Sequence, residues 1–131
     1  MLDYELNKKI IALAPKFIAS EHAPDSFEKL KSNVGRLVVW SGASENTIYG
    51  EAAVNHAFRA WHDSLHLKLN AEFTPAGERL VALEQARIIG SEKHGLIMLA
   101  EIVGQAEYLA KHGSFPTDQN QFILNYMKGI L

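Results

Sequence analysis

"EAAVNHAFRAWHDSLHLKLNAEFTPAGERLVALEQARIIG", residues Glu51 to Gly90, decides the fold class of this chain. From Glu51 to Leu69 the apolar residues recur at helical spacing. At about 100° per residue, Val54, Ala57, Phe58, Trp61 and Leu65 fall on one side. The pattern stops at "NAEFTPAG". Thr74 there suits an N-cap and Pro75 the first helical position, so a second helix opens and runs to Gly90. The connection is short, which makes the two helices neighbours and sets the start of the second close to the end of the first.

The rest of the chain reads the same way. Leu6, Ile10, Leu13 and Phe17 predict a helix from Asp3 to about Ser20, with Pro15 as an objection because a proline this deep kinks or ends a helix. A short helix fits between Pro24-Asp25 and Gly35. "RLVVW", Arg36 to Trp40, is the one convincing strand-like run, and Thr47-Ile48-Tyr49 could pair back onto it as a small hairpin. Gly90 and Gly95 bracket a break before "LIMLAEIVGQAEYLAKHG", which Gly113 closes as a C′ residue. Pro116 and Thr117 open a last helix through Lys128. The expected fold is mainly α: residues 1–131 as a single compact domain of about five helices, with at most a small two-stranded β-ribbon.

Composition narrows the function classes. A chain of 131 residues, 47% hydrophobic and 21% charged, is long and apolar enough to bury its own core. A net charge of −2 argues against general nucleic-acid binding, which needs a basic face. The absence of cysteine removes disulfides, thiolate metal sites and a cysteine nucleophile, so any metal must be held by imidazole and oxygen. The N-terminal stretch carries acids early, unlike a signal peptide, and no apolar run is long enough for a bilayer. A soluble cytoplasmic protein without a membrane partner is expected. No glycine-rich phosphate loop, di-iron Glu-x-x-His pair or hydrolase serine elbow is present.

The polar face of the first quoted helix is the unusual feature. Asn55, Arg59, His62 and His66 form a stripe opposite the packing face, with His56 and Asp63 beside it. A polar stripe ordinarily faces solvent. A solvated face, however, normally uses Lys and Glu, which are good helix formers, and this one uses Asn, Arg and His. His62 and His66, at i and i+4, sit one above the other and can share one ion.

A third ligand has two candidates on the next helix. Glu78 stands in its first turn, where an acid also complements the helix dipole. Glu84 is surrounded on the helical wheel by Leu80, Val81 and Ile88, where a carboxylate is costly unless paired or metal-bound. Glu78 shares its side with Ala82, Gln85 and Ile89. The following helix carries His94, Glu101, Gln105, Tyr108 and His112 along one stripe, so the polar stripes of three consecutive helices are expected to meet. His22, in the first interhelical loop, is not expected to bind.

Two resemblances bear on this region. "HDSLH", His62 to His66, resembles the HExxH helix of zinc peptidases, with Asp63 one methylene shorter than the general base of that motif. The stretch "NTIYGEAAVNHAFRAWHDSLHL…FTPAGE", Asn46 to Glu78, is similar to a core shared by small uncharacterised proteins of phages and bacteria. That likeness implies that His62, Asp63, His66 and Glu78 belong together, and it carries no established activity.

Two classes of function follow. The first is a small metal-binding protein, a metal-dependent hydrolase, with His62, His66 and either Glu78 or Glu84 as ligands. Asp63 or Glu101 would then handle protons. Zinc is the first choice of divalent ion, with iron, nickel or manganese behind it. The second is a non-catalytic interaction protein, phage-encoded and directed at a host protein, in which the histidines are structural. The small-molecule or protein partner is not specified by the residues.

Overall fold

The computed structural model describes residues 3–33 and 35–130. Seven α-helical segments and two short strands follow in the order α1 (Tyr4–Leu13), β1 (Phe17–Ser20), α2 (Phe27–Ser32), β2 (Leu37–Trp40), α3 (Ala52–Leu69), α4 (Pro75–Ile89), α5 (Glu92–Leu99), α6 (Gln105–His112) and α7 (Gln119–Ile130). A single π-helical turn, Ala100–Gly104, joins α5 to α6, so those two run on as one helix and the mainly α expectation holds.

The first segment departs from its expected helix. α1 begins at the N-cap Asp3, whose side chain accepts from the Leu6 amide, and ends at Leu13. Ala14 is already extended, φ −68° and ψ 134°, as a residue before proline prefers, and Pro15 cannot donate to continue the ladder. Phe17 therefore belongs to a strand, although its spacing continues the helical stripe of α1. β1 pairs in parallel with β2, Phe17 opposite Leu37 and Ser20 opposite Trp40. Parallel strands need a crossover, and α2 supplies it, capped by Ser26. The expected hairpin with Thr47-Ile48-Tyr49 does not form. Those residues make a turn whose Ile48 and Tyr49 side chains are buried in the core.

α3 lies at the centre, packed against α1, α2, α4 and the strands. Val54, Ala57, Phe58, Trp61 and Leu65 join the core as their spacing predicts. The opposite stripe is not solvated. Asn55 donates to Ser44 Oγ at 2.9 Å, and the Arg59 guanidinium is held by the carbonyls of Trp40, Gly42 and Ala43 while lying over the Trp40 ring. The N-terminal half of the stripe thus anchors the loop between β2 and α3. Its C-terminal half meets α4.

Thr74 caps α4 as expected, accepting from the Gly77 amide at 3.1 Å. Gly77 is required by crowding: a Cβ there would lie 1.9 Å from the Glu72 carbonyl oxygen, because the connection folds back over the first turn of α4. The break expected between Gly90 and Gly95 falls at its first residue: Gly90 ends α4 at φ 83°. Ser91 caps α5, and Gly95 sits inside it, facing Ala86 of α4. Gly113 ends α6 in the left-handed region, φ 79°. No helix among the described residues is long and apolar enough to cross a membrane.

Candidate metal centre

Three side chains from two helices converge where the end of α3 meets the start of α4: His62, His66 and Glu78. The Nε2 atoms of the two imidazoles are 3.1 Å apart, their rings nearly perpendicular at 81°. Glu78 reaches both, with Oε2 2.9 Å from His62 Nε2 and Oε1 3.2 Å from His66 Nε2. His66 is fully buried. The side chains of His62 and Glu78 keep 17% and 22% exposure, so the cluster opens to solvent on one side.

Local structure fixes each ring. α3 ends at Asn70 in the left-handed region, φ 51° and ψ 43°, a conformation asparagine tolerates better than most residues. That turn brings the Ala71 carbonyl back onto His66 Nδ1 at 2.8 Å, and Phe73 packs edge-on against the ring at 4.8 Å. A carbonyl only accepts, so Nδ1 of His66 carries hydrogen and its Nε2 presents a lone pair. His62 Nδ1 lies 2.7 Å from the Gln85 side-chain oxygen, which imposes the same tautomer. Two imidazole lone pairs and a carboxylate then point at one another. Such a set of acceptors needs a shared cation, either a proton or a metal ion.

The titration behaviour carries the same signature. Burial pulls His62 down, but the bond to Glu78 and its charge outweigh that and leave the imidazole raised. Burial would push Glu78 up, yet the bonds from His62 and His66 hold its carboxyl at about 2. The spacing also suits a metal. Bonds of about 2.0–2.1 Å in a tetrahedral site put neighbouring ligand atoms about 3.3 Å apart; the two imidazole nitrogens are 3.1 Å apart, and each has a different oxygen of Glu78 at 2.9 or 3.2 Å.

The other candidate residues lie elsewhere or play a different part. Glu84 is bonded to Arg87 one turn along α4 and is not in the cluster. Of its apolar neighbours on the wheel only Val81 is buried, while Leu80 is exposed and Ile88 half-buried, so Glu84 stands at the edge of the stripe. Glu101 sits in the π turn, where its Oε2 accepts from Gln105 Nε2 at 2.6 Å and its Oε1 has no partner among the described residues. Burial pushes this carboxyl up to about 7, against the opposing effects of Gln105 and Arg59. Asp63 lies within electrostatic reach of His62, His66, Glu78 and Arg59 but makes no direct hydrogen bond among the described residues. Burial, more than any neighbour, raises its pKa. His22 is exposed in the loop after β1.

The three polar stripes do not all meet. Those of α3 and α4 do, through His62, Glu78 and Gln85. His94 turns instead toward α1, with Nε2 3.0 Å from Asp3 Oδ2 and Nδ1 3.0 Å from Lys9 Nζ. Tyr108 and His112 stack near Phe122 of α7. The sequence reading placed Gln85 on the Glu78 side of its helix but gave it no role. It also missed the Ala71 carbonyl, for which Asn70 at the helix end was the available signal. Comparison of the chain with family models, curated proteins and solved structures finds no match.

Proposed function

We propose that the chain binds one divalent metal ion, zinc before other first-row metals, through Nε2 of His62, Nε2 of His66 and a Glu78 oxygen. The observation that carries this reading is the convergence of two imidazole nitrogens and a carboxylate oxygen, all within 4.8 Å of one another. Two imidazoles and a carboxylate form a borderline-hard donor set suited to zinc, and three protein ligands leave a coordination position free.

The finer proposal is hydrolysis. A divalent ion in such a site acts as a Lewis acid and lowers the pKa of bound water. The chain's own contribution is orientation and proton handling. The Ala71 carbonyl holds the ring of His66, which closes the buried side, and the partly exposed His62 and Glu78 leave access from the other. Asp63 interacts electrostatically with both imidazoles and makes no hydrogen bond among the described residues, so it is the group to take or return a proton. It stands one residue after His62, where a zinc-peptidase helix carries its glutamate.

A second reading keeps a proton in the place of the ion. The 2.9 Å contact between His62 and Glu78 is also the geometry of an imidazolium–carboxylate pair, and the protein would then be a non-catalytic partner of another protein. Metal analysis of protein purified without a histidine tag separates the two. One equivalent of metal per chain, lost in a His62→Ala/His66→Ala variant, is the expected result. Equal metal content in both proteins would refute the metal reading. Hydrolysis is tested by assaying zinc-loaded protein on chromogenic esters and phosphoesters, where Asp63→Asn should lose turnover while retaining the ion.

A further inference from the structure

We infer that Gln85 is a positioning residue for the ion, setting the tautomer and ring plane of His62. The inference rests on the metal reading of the His62–His66–Glu78 cluster. Gln85 is fully buried on α4, seven residues beyond Glu78, so both side chains leave the helix on the face toward α3. Its Oε1 accepts from His62 Nδ1 at 2.7 Å, which leaves the Nε2 lone pair directed at Glu78 and His66. The amide Nε2 of Gln85 has no partner among the described residues.

That unpaired nitrogen is informative. A buried amide that leaves its N–H groups unbonded is unfavourable, and methionine would fill the same space between α3 and α4 without that loss. As packing, Gln85 is a poor choice. Its one hydrogen bond goes to a ring of the candidate centre, which is the usual position for an outer-shell partner that orients a ligand. His66 is oriented by the Ala71 backbone carbonyl, so Gln85 is the side chain whose removal should disturb one ligand alone. An amide also adds no charge. Glu78 remains the only formal anion among the three ligands, and a bound divalent ion keeps net positive charge for polarising a substrate or water.

Cobalt and zinc binding to the unmodified chain, Gln85→Met and Gln85→Glu tests this. Gln85→Met should bind zinc about 10- to 100-fold more weakly, with altered cobalt absorption bands. Gln85→Glu should restore both the bands and the affinity, because a carboxylate accepts from Nδ1 as the amide does. In chelator, Gln85→Met should melt no lower than the unmodified chain. If Gln85→Met binds zinc as tightly, with an unchanged cobalt spectrum, the positioning role is refuted while the metal site stands. If Gln85→Met instead melts well below the unmodified chain in chelator and Gln85→Glu fails to restore binding, Gln85 is a packing residue and the role is again refuted. If the unmodified chain binds neither ion, the metal reading fails first and this inference with it.

Discussion

Two buried histidine clusters in this molecule use the same residue types to opposite ends. At the α3–α4 corner, His62 and His66 each spend Nδ1 on an oxygen acceptor and turn Nε2 toward Glu78. At the α1–α5 contact, His94 sits between a donor and an acceptor. Lys9 Nζ donates to its Nδ1, and its Nε2–H donates to Asp3. Lys9 also donates to the Ile89 carbonyl, and Lys93 lies 3.2 Å from Asp3. Every lone pair on the second ring is used, and a cation already occupies the place where a metal would go. An imidazole beside a carboxylate is therefore not enough to predict a metal. The direction in which the remaining lone pairs point decides it.

The largest expected effect separates the clusters outright. Zinc at a hundred times its Kd should stabilise the unmodified chain by about 2.7 kcal/mol. The His62→Ala/His66→Ala variant should gain nothing. His94→Ala should leave the zinc-induced gain intact, as read from melting curves with and without metal. A proton must leave His62 before an ion binds, so affinity should fall with pH, beginning above the free-imidazole value of about 6.5 because Glu78 raises this ring. Calorimetric titrations at several pH values would show it.

Glu101 sharpens the contrast, being a buried carboxyl bonded to an amide and, among the described residues, to no imidazole. Its folded pKa of about 7 lies above the ordinary 4.5. Between those values the folded chain holds a proton that the unfolded chain has released. Stability should then fall as pH rises from about 4.5 to 7, by on the order of 3 kcal/mol. Denaturant titrations across that range should show a flatter profile in Glu101→Gln.

His94→Ala removes one partner each from Asp3 and Lys9, which keep Lys93 and the Ile89 carbonyl, and should cost about 1 kcal/mol or more with or without zinc. The smallest effect belongs to Glu84. Its bond to Arg87 joins i to i+3 with the arginine mostly exposed, so Glu84→Gln should change stability by about 0.5 kcal/mol or less. Glu78→Gln, by contrast, should remove most of the zinc affinity. Paired calorimetric titrations of the two variants would measure the difference.

What was legible in the sequence followed from local chemistry. The spacing of Val54 to Leu65, the Thr74-Pro75 start and the Gly113 stop all reappear as written. The short connection after α3 predicted that Glu78 would start its helix near His66. Non-local competition hid the rest. Phe17 fits the helical stripe of α1 as well as it fits a strand, and only the partner β2, twenty residues on, decides between them. The Asn55–Arg59 stripe resembles a surface until the loop that covers it is in place. His94 shares a stripe with Glu101, but Asp3 lies 91 residues away in sequence, beyond any helical wheel.

Anomalous diffraction at the zinc edge, from crystals of tag-free protein grown with equimolar zinc, tests the central claim most directly. The account predicts one peak about 2.0–2.1 Å from Nε2 of both His62 and His66 and from one oxygen of Glu78. A map with no peak there, while His62 and Glu78 remain bonded to each other, would contradict it. A proton would then be the cation that the three acceptors share.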